Sequence, residues 1–189
     1  DEGIGALYFL EWKTKDKFPG AIVKSFAVED SLPQGWCNGL AQAPDGSIWT
    51  VIRTNLVRYN GKRWETKLIK NGPKEWVDAM YIDRQGHIWL IGDQAKEVIG
   101  DSAISHPIRW CSSIAEGSDG VIYAGSWEGS LKVLRDGMWS NVDLGQAKPQ
   151  SMYGGSRAIV SVDSKGVLYI GLGGRGLIVK SGDKITRYT

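Results

Sequence analysis

The chain has 189 residues, a length typical of one domain, with 42% hydrophobic and 23% charged residues. This composition excludes a disordered chain, and the net charge of +2 gives no reason to expect nucleic acid as a partner. No apolar run approaches the roughly 18 residues that a membrane-spanning helix needs, so membrane insertion is not expected. Glycine and tryptophan are abundant, at 25 and 9 residues, which indicates many turns and a repeated aromatic position.

A short pattern recurs four times along the sequence: a turn that ends in glycine, two further residues, and then an aromatic residue. The glycines lie 34 to 46 residues apart, and the patterns end at Trp49, Trp89, Tyr123 and Tyr169. An apolar segment precedes each pattern, and a second turn follows in three of the units, for example Asn60-Gly61 or Asp136-Gly137. Because Asn-Gly and Asp-Gly pairs favour tight hairpins, each unit is predicted to contain four short antiparallel strands.

Four-stranded units that repeat at this period are typical of β-propeller blades, which bury both sheet faces by packing on their neighbours. We therefore predict an all-β fold without helices, a single β-propeller domain over residues 1–189. In chain order it has an N-terminal hairpin or partial blade in 1–34, with strands at 6–12 and 21–26, and then four full blades at 35–72, 73–108, 109–150 and 151–189. The second strands of the blades are expected near 47–52, 87–91, 121–125 and 167–171.

Four blades and a hairpin form either a five-bladed-like ring or an incomplete one. The hairpin can serve as a reduced blade beside the C-terminal unit that ends at Tyr188. A second copy of the chain can instead complete the propeller, or the sequence is a fragment of a longer chain. Because open sheet edges favour association, a homo-oligomer is physically reasonable.

Two segments carry a resemblance to known repeat families, namely Gly39–Trp49 (GLAQAPDGSIW) and Leu56–Gly61 (LVRYNG). Together they resemble the two-component-regulator propeller repeat of bacterial sensor proteins. The same pattern is similar to tectonin and tachylectin-type lectin propellers. The first resemblance implies an extracellular or periplasmic sensor region, and the second implies carbohydrate binding.

Aligning the repeats on the glycine of the pattern brings residues suited to recognition to one end of the blades. The first strand of a propeller blade lines the central channel, and the loop after the second strand returns to the same end. Ten residues before the glycine, at the start of the first strand, stand Trp36, Trp76, Trp110 and Ser156. Flat aromatic faces beside planar hydrogen-bonding groups suit sugars and cationic or aromatic ligands. The predicted ligand-binding residues are Trp36, Asn38, Arg53, Trp76, Asp78, Asp93, Trp110, Trp127 and Arg157.

A packing interpretation of the same tryptophans is the favoured alternative. A repeated aromatic position usually marks a repeated core position, because each repeat packs on the next in the same way. On this interpretation Trp36, Trp76 and Trp110 fill the space between blades. A packing role alone is expected for the pattern aromatics and the outer-strand tryptophans, which are Trp49, Trp64, Trp89, Tyr123, Trp139 and Tyr169.

Other motifs indicate no catalytic residue, no metal ligand and no cofactor. The segment Gly171–Gly176 (GLGGRG) matches a dinucleotide fingerprint in letters, but a strand rather than a helix is expected to follow it. His87 and His106 have no carboxylate at ligand spacing in the sequence and are interpreted as polar surface residues. Cys37 and Cys111 are expected to lie two blades apart, too far for a disulfide, and to stay reduced.

Two classes of function stay open. We favour a non-catalytic recognition propeller for a carbohydrate or protein ligand, because tryptophans outnumber acid–base groups at the predicted face. The alternative is an enzyme of the lyase or lactonase type with a metal at the channel mouth, to which Asn38, Asp78 and Asp93 could contribute. The number of carboxylates around the axis distinguishes the two classes, and it is low here.

Overall fold

The computed structural model of the protein describes residues 7–11, 22–145 and 157–188. Over these ranges the predicted all-β fold is confirmed, and the one helical element is a single 3-10 turn at Val28–Asp30. Eighteen strands form four four-stranded antiparallel sheets, the blades, and one two-stranded hairpin. No helix in the described part of the chain is long and apolar enough to cross a membrane.

Each blade follows the same meander, in which consecutive strands are neighbours in the sheet. The hairpin consists of β1 (Leu7–Glu11) and β2 (Ile22–Phe26). Blade 1 consists of β3 (Cys37–Gln42), β4 (Ile48–Ile52), β5 (Asn55–Tyr59) and β6 (Trp64–Lys67). Blade 2 consists of β7 (Val77–Ile82), β8 (Ile88–Gly92), β9 (Gln94–Ile99) and β10 (Ser102–Arg109). Blade 3 consists of β11 (Cys111–Glu116), β12 (Ile122–Ser126), β13 (Leu131–Arg135) and β14 (Met138–Asn141). Blade 4 consists of β15 (Ala158–Val162), β16 (Leu168–Leu172), β17 (Gly176–Ser181) and β18 (Lys184–Tyr188).

The recurring glycines form the turns between the first and second strands, as the sequence pattern predicts. Gly46, Gly86, Gly120 and Gly166 all have a positive φ, between 78° and 85°, which favours glycine. In blade 1 the second turn leaves four residues, 60–63, between the paired Tyr59 and Trp64, and the Asn60 side chain accepts from the backbone N–H groups of Lys62 and Arg63. We call the end of the blades with the recurring glycines the turn face.

The core lies between successive blades. Apolar clusters join blade 1 to blade 2, blade 2 to blade 3 and blade 3 to blade 4. Trp89 and Tyr123 are buried in these clusters, and Trp64 is buried in a fourth cluster that joins Phe26 to blade 1, as the packing prediction requires. Tyr169 is different: its side chain is 39% exposed, because none of the described residues forms a further blade over it.

The N-terminal hairpin pairs only with itself in the described sheets, so of the two predicted arrangements, pairing with or packing beside the C-terminal unit that ends at Tyr188, the pairing is wrong and the packing stays a prediction. The end of the hairpin lies against blade 1. Phe26 packs on Trp64, with ring centroids 5.6 Å apart, and on Tyr59, at 5.3 Å. These three aromatic rings pack together beside the two outer strands of blade 1.

Candidate functional site

The first strands of blades 1 to 3 share an irregularity that blade 4 lacks. The pairing of the first with the second strand shifts register between Cys37 and Gly39, between Val77 and Ala79, and between Cys111 and Ser113. In blade 4 the pairing runs without a shift from Ala158. One extra residue therefore stands at the start of the first strand in blades 1 to 3.

Because blade 4 lacks the extra residue, the sequence alignment that placed Ser156 in one row with Trp36, Trp76 and Trp110 is wrong by one position in blade 4. The backbone N–H after the second strand donates to the carbonyl of Trp36 in blade 1 and of Trp110 in blade 3, at 3.4 and 2.8 Å. In blade 4 the same bond, from Gly173 to Arg157, is 3.0 Å long. Arg157 thus takes the place that tryptophan holds in the other blades, whereas the sequence alignment put Ser156 there. Ser156 itself lies outside the described residues.

The tryptophans at this end of the blades are exposed. The exposed fractions are 65% for Trp36, 52% for Trp76, 39% for Trp110 and 47% for Trp127. The packing interpretation of the row is therefore wrong. We call this end, marked by the four tryptophans and Arg157, the strand-start face. Large apolar side chains that stay exposed together on one surface are unusual and often mark a binding site.

Arg157 and Trp127 contact each other across the boundary between blades 3 and 4. The guanidinium carbon lies 5.0 Å from the centre of the indole ring, within the range of a cation–π interaction. One terminal nitrogen of Arg157 also donates to the carbonyl of Ser112, at 3.2 Å. The Nε of Arg157 is buried and has no hydrogen-bond partner among the described groups. The planar guanidinium is thus held beside an exposed indole ring.

Trp76 and Asp93 line a cleft in blade 2. The cleft has a volume of about 520 Å³ and lies under the connection 71–76, with Leu90 and Lys96 on its walls. A hydrogen bond to Asp93 raises the pKa of Glu75, which lines the same cleft, and the negative charge of Asp93 acts in the same direction. The cleft therefore combines an indole ring, a carboxyl pair and an ammonium group.

Three further predicted residues have different surroundings. The amide nitrogen of Asn38 donates to the carbonyl of Val77 at 2.8 Å, so Asn38 ties blade 1 to blade 2. Ser112 makes the corresponding bond from blade 3 to the Ala158 carbonyl of blade 4. Asp78, at the same position of blade 2, has no N–H or hydroxyl with which to make such a bond as a carboxylate, and it is exposed. Arg53 is exposed in the turn between β4 and β5, and its side chain covers Gly35.

Cys37 and Cys111 are both free in the described residues. Cys111 is buried, and burial raises the pKa of its thiol to about 12. Because the thiolate is the reactive form, this thiol is not a nucleophile at neutral pH. The glycine-rich segment Gly171–Gly176 spans the end of β16, a turn and the start of β17, so the strand expected after it is present and it does not form a nucleotide loop.

Both histidines have carboxylate partners, which the sequence analysis did not predict. His87 Nδ1 lies 2.9 Å from a carboxylate oxygen of Glu97, and His106 Nε2 lies 3.0 Å from the other oxygen. His106 belongs to β10 rather than to a loop, and both imidazoles are largely covered. The strand register is the signal that could have found this cluster. Trp89 pairs with Glu97, so Glu97 and His87 are diagonal neighbours on one sheet face.

Comparison with solved structures relates the chain to several propellers. It is similar to virginiamycin B lyase from Staphylococcus aureus, with 13% identity, a TM-score of 0.69, and coverage of 89% of this chain and 60% of the lyase chain. It is similar to the extracellular domain of BT3049, described as a hybrid two component system from B. thetaiotaomicron, with 14% identity, a TM-score of 0.68, and coverage of 87% and 26%. It is also similar to XC5397, a gluconolactonase from Xanthomonas campestris, with 14% identity, a TM-score of 0.57, and coverage of 79% and 60%.

The chain is a β-propeller repeat protein, and the sensor-type propeller of BT3049 is among the structures that share its fold. No family model matches the sequence, and no curated protein matches it either. The chain spans about 60% of the lyase chain to which it is similar. Both a sensor domain and enzymes share this fold, so the fold alone does not determine the activity. The similarity to tectonin-type lectins stays a prediction.

Proposed function

We propose that the protein is a non-catalytic recognition propeller that binds carbohydrate on its strand-start face. The observation that carries this proposal is the exposure of Trp36, Trp76, Trp110 and Trp127 at the same end of three consecutive blades. Burying these rings in the core would have been favourable, by roughly 25 cal/mol for each Å² of apolar surface. Their exposure at one end is therefore best accounted for by a ligand that covers them.

The groups beside the tryptophans suit a sugar. An indole ring can stack on the apolar face of a pyranose, while planar polar groups bond to its hydroxyls. Asp93 stands at the cleft beside Trp76, and Arg157 is fixed beside Trp127. Because the tryptophans recur along the blades, an oligosaccharide can contact several at once and gain affinity from each contact. A periplasmic or extracellular location is part of the proposal and is supported by the likeness to the extracellular domain of BT3049.

Glycan-array binding followed by calorimetry on the best oligosaccharide tests this function. Trp76→Ala and Trp110→Ala are each expected to lower the affinity about tenfold or more, which corresponds to ~1.4 kcal/mol. Tyr188→Ala removes an aromatic ring that is 58% exposed on the outer strand of blade 4, and it should bind like the wild type. The proposal fails if no glycan binds, or if all three variants bind equally well. Binding of a protein segment instead, with the same dependence on the tryptophans, would replace carbohydrate by a protein partner.

An enzyme of the lyase or lactonase type is the second candidate. The specific observation in its favour is the carboxyl pair Glu75 and Asp93 in the cleft of blade 2, where the pKa of Glu75 is raised. A carboxyl group with a raised pKa can serve as a general acid. The protein would then open the ring of a lactone in the presence of a divalent metal. Glu75→Gln should abolish that turnover, and absence of turnover in the wild type excludes this candidate.

A further inference from the structure

We propose that blade 2 carries a binding site for a divalent transition metal of the Zn²⁺ type at its turn face. The ligands are one carboxylate oxygen of Asp83, Nδ1 of His87 and one carboxylate oxygen of Glu97, and these three atoms lie within 4.8 Å of one another. All three ligands belong to blade 2 and lie at the opposite end from the strand-start face. The site is independent of the proposed carbohydrate binding.

The spacing of the three atoms fits a small tetrahedral ion. Bonds of 2.0–2.1 Å to zinc keep neighbouring ligand atoms about 3.3 Å apart. His87 Nδ1 lies 2.9 Å from Glu97 Oε1 and 3.5 Å from Asp83 Oδ2. The same Nδ1 faces both carboxylates, so a cation can replace the proton that Nδ1 would otherwise share with them. Little rearrangement of the side chains is needed.

The surroundings of the ligands also fit a metal site. Asp83 is 5% exposed, and the side chains of Glu97 and His87 are 14% and 26% exposed, so two carboxylates stand close together away from bulk water. A divalent cation would neutralise their combined charge. His87 is the most exposed of the three ligands, and a zinc ion with three protein ligands takes a water as its fourth. One imidazole with two carboxylates favours zinc-like ions over Mg²⁺ and Ca²⁺, which take oxygen ligands alone.

Each ligand is held in place by a second group. Asp83 Oδ1 accepts from the backbone N–H groups of Gln85 and His87, and Trp89 Nε1 donates to Asp83 Oδ2 at 3.0 Å. Glu97 Oε2 contacts His106 Nε2 at 3.0 Å. Such outer contacts orient metal ligands and raise their affinity for the ion.

His106 is a positioning residue and not a ligand. Its Nδ1 accepts a hydrogen bond from Trp139 Nε1 of blade 3 at 2.9 Å, so in the neutral ring the proton sits on Nε2. Nε2 therefore donates to Glu97 and has no lone pair for the ion. The ring also stacks on Trp89, with centroids 4.8 Å apart. His106 thus fixes Glu97 from the side away from His87.

Blade 4 contains the same turn as the proposed metal site, with its aspartate but without the histidine and the glutamate. Asp163 forms the same turn as Asp83, because its Oδ1 accepts from the backbone N–H groups of Lys165 and Val167. Val167 stands where blade 2 has His87, and Val179 stands opposite Tyr169 as Glu97 stands opposite Trp89. The turn aspartate alone is therefore shared, and the imidazole and the second carboxylate are specific to blade 2.

Titration of the chelator-treated full chain with Co²⁺ and then Zn²⁺ tests the site. We expect one equivalent of Co²⁺ to give the absorption bands of a tetrahedral ion and Zn²⁺ to displace it, with Mg²⁺ and Ca²⁺ unable to compete. His87→Gln and Glu97→Gln should each lower the affinity by at least about tenfold, and Asp163→Asn should bind like the wild type. Circular dichroism checks that each variant is folded, and the partly exposed His87→Gln is the milder of the two changes.

Two results would overturn the proposal. The first is a folded wild-type protein that takes up no Co²⁺ at stoichiometric concentration. The second is Co²⁺ binding that both His87→Gln and Glu97→Gln leave unchanged. Neither result depends on whether the strand-start face binds carbohydrate.

Discussion

The guanidinium of Arg157 lies over the ring of Trp127, 5.0 Å from its centre, and so joins the exposed surfaces of blades 3 and 4. Arg157 occupies the position that Trp36 and Trp110 hold in their own blades. The strand-start face therefore differs between blades: Trp76 shares a cleft with two carboxyl groups and Lys96, whereas Trp127 is paired with the guanidinium of Arg157. A ligand that spans both would meet acidic groups at blade 2 and a positive charge at blade 4.

Replacing Arg157 by Gln tests this arrangement. The variant loses the cation–π contact with Trp127 and the bond to the Ser112 carbonyl, so we expect a loss of about 0.5–1 kcal/mol in the free energy of unfolding. Urea denaturation measures this loss. Ligand affinity should fall further than stability does, whereas Arg135→Gln, an exposed arginine in the outer hairpin of blade 3, should change neither. Equal effects of both variants would contradict the role of Arg157.

Replacement by phenylalanine is expected to lower the free energy of unfolding at Trp89 and to leave it nearly unchanged at Trp76. Trp89 is 1% exposed and donates to Asp83 Oδ2, so Trp89→Phe leaves a buried carboxylate oxygen without this donor. The expected cost is about 1–3 kcal/mol of unfolding free energy. Trp76 is 52% exposed, and Trp76→Phe should stay within about 0.5 kcal/mol of the wild type. Urea denaturation of both variants distinguishes core from surface tryptophans, and equal losses would contradict the assignment.

The fold could be predicted from the sequence because its signals are local. A glycine with positive φ and an aromatic three residues later define each turn and second strand, and the observed strand Ile48–Ile52 lies within the predicted 47–52. The same periodicity predicts which face carries Trp36 and Trp110. It does not predict whether those rings are buried, because their burial depends on how far the neighbouring blade extends over them.

The remaining features depend on register and on contacts between blades. Arg157 was misplaced by one position because the extra residue of blades 1 to 3 leaves no mark in the sequence. Glu97 meets His87 only through the pairing of β8 with β9, and His106 reaches Glu97 from a strand whose pairing is itself irregular. Such contacts join residues 9 or 10 positions apart, where sequence spacing alone does not distinguish a partner from a neighbour.

The two cysteines should differ in reactivity. Burial raises the pKa of the Cys111 thiol to about 12, and Cys111 has no exposed surface. Cys37 is partly accessible and contacts the Thr50 hydroxyl. A thiol reagent applied to the native protein should therefore label Cys37 and leave Cys111 unmodified until the protein unfolds. Peptide mass mapping measures this, and rapid native labelling of Cys111 would contradict the buried position.

Asp45 should make the protein more stable at neutral than at acid pH. The hydrogen bond from the Ser47 hydroxyl is the largest cause that lowers the pKa of Asp45 below 3.8, followed by the Ser47 backbone N–H. Its stabilising contribution is complete above the unfolded value and is lost as the pH falls through the lowered folded value. Asp45→Asn should therefore destabilise the protein at neutral pH, and the difference from the wild type should shrink as the pH drops below 3.8. Urea denaturation at several pH values measures it, and a difference that does not change with pH would contradict this assignment.

Tyr169 indicates where a further blade would pack. The equivalent aromatics Trp89 and Tyr123 are 1% and 8% exposed because the next blade covers them, whereas Tyr169 is 39% exposed. Ile159, on the neighbouring strand of the same blade, is 53% exposed. None of the described residues forms a further blade over these two side chains.

We predict that a second copy of the chain covers this face of blade 4 and completes the assembly. Light scattering coupled to gel filtration should then give a mass that is a multiple of 20.8 kDa, and Tyr169→Glu should shift it to a single chain. In the assembly, the carboxylate introduced by Tyr169→Glu would be buried against an apolar face, and burying an unpaired charge is costly. Asp183→Glu, a charged position on the exposed second hairpin of the same blade, should leave the mass unchanged. A wild-type protein that runs as a single chain at all concentrations would contradict this prediction, because the face around Tyr169 would then stay uncovered in solution.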